Sequence, residues 1–131
     1  MTNEERSLIA YRISRANETI EEARILFDAG HLNAYVNRLY YACFYATSAW
    51  LLTRNLSTHK HAHLRSLLHR ELIKTGSLPQ EMGEHFDLLF NNRQKGDYAD
   101  LVVFKAHEVA GWLAQTKTFV SHIEGLISGM A

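Results

Sequence analysis

One proline and one cysteine are all that 131 residues contain of either type. The seven glycines fall mostly at segment ends. Such sparse punctuation, with breakers confined to segment ends, is that of an all-helical chain. A lone cysteine, Cys43, makes no intramolecular disulfide and points to a reducing compartment. Its apolar surroundings read as core packing rather than a nucleophile. Net charge is also absent, with 14 Lys+Arg against 14 Asp+Glu. No global positive field therefore draws the chain to nucleic acid or anionic lipid, and any RNA site must be a local patch. Long apolar runs are missing too. The longest uncharged stretch, Leu39 to Thr53, is shorter than the roughly 18–20 residues of a membrane span and is rich in Tyr, Ser and Thr. Met1 leads into the polar, acidic "TNEERS", which is no signal peptide. A cytoplasmic protein with no membrane contact is expected.

What is present is 47% hydrophobic and 21% charged residues, which excludes disorder. The length fits one domain over residues 1–131, burying roughly two-thirds of its unfolded surface. Thr2 with Glu5 can form a capping box. Ile9, Ile13, Ala16, Ile20, Ala23 and Phe27 then step by four and three along one helix that Gly30 ends. A second helix, from about Leu32 to Arg54, is apolar nearly all round and should be the most buried. Thr58 can cap a short third helix from about His59 to Lys74. Ser77, Pro79 and Gln80 open a fourth, with Met82, Phe86, Leu89 and Phe90 inward. A fifth begins between Val103 and Ala106 and turns Val109, Trp112, Leu113, Thr116, Phe119, Val120, Ile123 and Ile127 inward. The expected fold is all-α: an up-and-down bundle of four long helices plus one short helix. If consecutive helices alternate, residues 53–59 and 91–100 share one pole.

Three constellations carry chemistry. "HKHAH" places His59, His61 and His63 at alternate positions, about 200° apart on a helix, so the three cannot grip one ion. His59 and His63 can pair, but nothing local completes a metal site. No metal and no cofactor are expected. Arg38, Tyr40 and Tyr41 interrupt the apolar helix. A charge there needs a carboxylate or phosphate partner: an internal ion pair, or a ligand. The two tyrosines cannot both face the core. "NNRQKGDYAD", residues 91–100, has no aliphatic residue larger than alanine. It reads as a solvated connection. The shared-pole argument nonetheless sets Arg93, Asp97 and Tyr98 beside Arg54 and His59, a set able to hold a phosphodiester and move a proton.

"NRLYYACFYATSAWLL" with "STH", "IKTGSLP", "NNRQKGDY" and "AGWLAQTKTFVSHI" together resemble the HEPN domain family over about residues 5–127. The elements Arg38 to Phe44 and Arg93 to Tyr98 carry the resemblance. It implies a helical bundle that dimerises. Such domains are often encoded beside a minimal nucleotidyltransferase as a toxin–antitoxin-like pair. Many members are metal-independent endoribonucleases through Arg-x(4–6)-His at the end of the helix matching the fourth. Here Arg93 matches the motif arginine, but Tyr98, Ala99 and Asp100 occupy the histidine positions. The expectation is therefore a homodimeric nucleotide-, RNA- or partner-binding module using Arg93, Asp97, Tyr98, Arg38, Tyr41 and Arg54, without the usual Arg-x(4–6)-His catalysis. The alternatives are a ribonuclease in which His59 joins Arg93, and a structural scaffold.

Overall fold

The computed structural model describes the backbone of residues 1–96 and 103–129. Helix α1 spans Asn3–Asp28. The Thr2 hydroxyl accepts from the Glu5 amide at 3.0 Å, the N-cap bond expected of it, and itself donates to the Glu5 carboxylate at 3.2 Å. At the other end Gly30 takes φ +81°, a left-handed conformation that suits glycine. The amides of Gly30 and His31 then reach back to Phe27 O and Leu26 O, closing the helix.

Helix α2, Leu32–Leu52, returns along α1. Tyr35, Val36, Leu39, Tyr40, Cys43 and Ala46 on it are fully or almost fully buried. Helix α3, His61–Leu68, passes into a π-helical turn, His69–Ile73. It starts two residues later than expected because the Thr58 hydroxyl accepts from Lys60 N and also holds His63 Nδ1, keeping that stretch in the loop. Helix α4 spans Gln80–Gly96. Its first turn closes with Met82 N donating to Pro79 O. The expected cap, Ser77, instead accepts from the Thr75 hydroxyl.

Two expectations need correction. Residues 91–96 are not a connection but the last turns of α4, so Arg93 projects from a helix. The stretch lacks aliphatic residues, yet Arg, Gln and Lys are good helix formers that propagate a helix already started. Residues 97–102 lie outside the described part of the structure. The expected fifth helix is two: α5, Ala106–Val109, and α6, Trp112–Ser128, divided at Ala110 and Gly111. Thr116, Phe119, Val120 and Ile123 of α6 face the core as expected.

Helices α1, α2, α4 and α6 form the bundle around one buried cluster, with α3 as the short extra helix. Among the described residues there is no strand, and no helix is long and apolar enough to cross a membrane. The pole assignment fails for residues 53–56. Trp50, Arg54 and Leu56 share a pocket with Glu71, Thr75 and Ser77, so α4 begins where α2 ends. The loop after Thr53 travels back along α2 until His61 meets Tyr40, and α3 with its π turn then returns to the end of α2. This excursion makes no net crossing, so α4 runs antiparallel to α2 and its last turns lie beside the first half of α2.

Candidate functional site

Tyr40 is the hub. It is fully buried, in ring contact with Phe86 and Phe90 of α4 and Phe44 of α2. Its hydroxyl is 2.7 Å from His61 Nδ1. Burial pushes the phenol well above its ordinary pKa, against the opposing pull of the Arg93 charge, so it stays a neutral hydroxyl. His61 also packs against Phe44 and Tyr41, with ring centroids 4.9 and 5.9 Å away.

Arg93 projects from α4 onto the same rings. Its guanidinium carbon is 5.0 Å from the Tyr40 centroid and 5.9 Å from that of Tyr41. Its NH1 donates a long bond, 3.4 Å, to the Tyr41 hydroxyl. Arg38 lies 5.2 Å from the Tyr41 centroid, 3.5 Å from Glu22 and 2.8 Å from Asn37 Oδ1. One half-buried tyrosine thus carries two guanidinium groups, with an imidazole one ring away. Stacking on an aromatic face holds an arginine in place without using all its donors. Such a fork is shaped for the oxygens of a phosphate or carboxylate.

A neighbouring triad belongs to the frame. Arg65 Nε donates to Asp87 Oδ1 at 2.7 Å, and His69 Nε2 lies 3.0 Å from the same oxygen. Partial burial pulls the Asp87 carboxyl up, but the hydrogen bonds from Arg65 and His69 outweigh it and hold the group below its ordinary value. Arg65 is therefore neutralised where it stands over Phe90.

The structure brings Arg93, Tyr41 and Arg38 together as a group. It sets Arg54 apart, stacked on Trp50 at 5.2 Å beside Glu71 and Thr75. His59 is exposed at the end of the returning loop, and the histidine turned onto the tyrosine rings is His61. Asp97 and Tyr98 lie outside the described residues. Among the described residues no three His, Cys, Asp or Glu side chains are placed to hold a metal ion. Sequence reasoning named Tyr40 and His61 but gave neither a place in the site. The signal was there: alternate residues face opposite ways, so an outward His59 turns His61 inward. Tyr35 and Trp50 of α2 are buried within the chain, with the Tyr35 hydroxyl donating to Val109 O at 2.8 Å.

A family model described as the HEPN domain matches residues 9–126. The chain belongs to the HEPN domain family. A UPF0332 protein of Thermotoga maritima is 38% identical to it over 98% of this chain and 97% of its own length. Two proteins of Methanocaldococcus jannaschii, each named "putative toxin", are 29% and 34% identical. These matches cover 83% and 66% of this HEPN domain, and 74% and 64% of the two relatives. The match spans every helix that builds the tyrosine hub.

Proposed function

We propose that this HEPN domain binds a phosphate group of a nucleotide or RNA at Arg93 and Arg38, as one component of a nucleotidyltransferase-linked, toxin–antitoxin-like pair. The observation that carries the reading is the stacking of both arginines on Tyr41, which presents fixed guanidinium donors on a half-buried face. The toxin names of two relatives support the setting. A homodimer and a minimal nucleotidyltransferase partner belong to the same proposal, as does a cytoplasmic location. Asp97 and Tyr98, four and five residues beyond Arg93, are proposed to contribute to the same site.

The test is equilibrium binding of a labelled single-stranded RNA. A charge-assisted hydrogen bond contributes about 1.5–3 kcal/mol, so Arg93→Ala should weaken binding roughly 10- to 100-fold. Unchanged affinity in that variant would rule the reading out.

One observation favours a second reading. His61 and Arg93 pack on the same two tyrosines, the pairing of proton carrier and cation that RNA cleavage through the 2′-hydroxyl needs. In that case His61 replaces His59 as the catalytic histidine. EDTA-resistant cleavage by the wild type, lost by a factor on the order of 10²–10⁴ in His61→Ala but kept in His59→Ala, would establish it. The binding reading expects no cleavage above background.

A further inference from the structure

A groove of about 780 Å³ opens at the pole where α1 begins and α2 and α6 end. It stands apart from the phosphate site, since Thr53 on its rim lies twelve residues, about 18 Å of helix, past Tyr41. Ile9, Ala10 and Ile13 of α1, which share one face by their three- and four-residue spacing, form its floor with Ile127 of α6. Ile9 is buried, Ile13 and Ile127 are half-buried, and Ala10 is exposed, so the floor is apolar and open to water. The methyl of Ala10 leaves room that a larger side chain would occupy. The polar groups on the rim are in different states. Asn17 donates to the Glu124 carboxylate, which fixes that acid at the inner end of the groove. The Thr53 hydroxyl donates to Trp50 O. Arg6 stands at the outer end, eleven residues or about 16 Å of helix from Asn17. It is exposed, and among the described residues no carboxylate pairs with it.

We infer that this groove binds an amphipathic monoanion, an unbranched aliphatic chain of medium length that ends in a carboxylate. The chain lies on Ile9, Ile13 and Ile127, and the head meets Arg6. A concave apolar surface with a few placed polar groups is the usual form of a small-molecule site. Burying the chain supplies the affinity, and the guanidinium, a fork shaped for a carboxylate, sets the head. Charge fixes the direction, because a carboxylate head is attracted at the Arg6 end and repelled by Glu124 at the other. From Arg6 to Ile13 the helix rises about 10 Å, which limits the bound part of the chain to a medium length. A bilayer surface is drawn by a cluster of cations, and this rim offers one, so the ligand is a free amphiphile. A second copy of the chain is the competing occupant, and the test decides between the two.

The test is calorimetric titration with octanoate, butanoate, 1-octanol and octyltrimethylammonium, all as monomers in solution, with sedimentation of each protein alone. The wild type should bind octanoate at least roughly tenfold more tightly than butanoate, because four more methylenes leave water. It should prefer octanoate at least roughly threefold over octanol and over octyltrimethylammonium, the worth of one exposed ion pair. Arg6→Gln should lose that preference and keep the dependence on chain length. Ala10→Phe fills the groove and should lower octanoate affinity at least roughly tenfold. Both positions are exposed, and unchanged thermal melting would certify the fold. Arg24→Gln, further along α1 and paired with Glu21, is the control and should bind octanoate as the wild type does. Equal affinity of the wild type for octanoate and octanol, an undiminished preference in Arg6→Gln, or full octanoate binding by folded Ala10→Phe would overturn the inference. So would failure of the wild type to bind octanoate at all. A fall from dimer to monomer in Ala10→Phe would assign the groove to a second copy and overturn it as well.

Discussion

At Arg93 the proposed phosphate site comes down to one side chain. Its guanidinium is stacked on Tyr40 and Tyr41 and is supplied by the last turns of a helix rather than by a loop. A cation fixed this way loses little rotamer freedom when it meets a phosphate. Each phosphate contact to a single strand lowers the slope of log affinity against log salt by about 0.7. Arg93→Ala should therefore flatten the salt dependence by roughly that amount, measured by anisotropy across a salt series. Tyr40 matters by a different route. Its buried hydroxyl holds His61 Nδ1 at 2.7 Å. Tyr40→Phe should cost about 1 kcal/mol of stability, the net worth of one hydrogen bond, read from urea midpoints. A cost near zero would mean that the bond does not anchor the ring. Neither role was legible in "RLYYACF". The spacing showed only that one tyrosine must leave the core, and in the structure it is Tyr41.

Among the helices, α4 carries the strongest local constraints. It meets α6 through His85, whose Nε2 lies 2.9 Å from the Thr116 hydroxyl and which is 5% exposed. Burial lowers its pKa from 6.5 to about 4, with a weaker opposing hydrogen bond from Gln115. The unfolded chain thus takes up a proton at higher pH than the folded one. Stability from this group is complete above about pH 6.5 and falls as pH drops towards 4, by an amount on the order of 3 kcal/mol. His85→Gln should flatten that limb in denaturant titrations at pH 7 and pH 4. An unchanged slope would place the acid sensitivity elsewhere. On its other side α4 lies tight against the π turn. A Cβ at Gly83 would stand 3.0 Å from His69 Cε1 and 3.1 Å from Ile73 Cγ1. Gly83→Leu should cost about 1–3 kcal/mol through overpacking, visible as a lowered thermal midpoint. The helices were readable from caps and stripes. The π turn was not, because no local sequence pattern marks it.

Across the whole molecule, the all-helical class and the order of the long helices follow from apolar period, one proline and terminal glycines. The placement of the poles does not. Treating residues 59–74 as a full rung put Arg54 beside Arg93. The structure sends the chain back along α2 and forward again, which cancels the crossing. Helical period reports which face of a helix is apolar, not whether a short helix traverses the bundle. The same excursion brings His61 to Tyr40, so the error in topology and the unplaced histidine have one cause. Net charge restricts any phosphate site to a local patch, and the arginines stacked on the tyrosines of α2 are the group proposed for it.

The central claim is that Arg93 holds a phosphate. Its most direct measurement is the affinity of wild type and Arg93→Ala for one labelled single-stranded hexanucleotide at fixed low salt, with folding checked by circular dichroism. The account predicts a loss of roughly 10- to 100-fold with an unchanged fold. Equal affinity of the two folded proteins would contradict it.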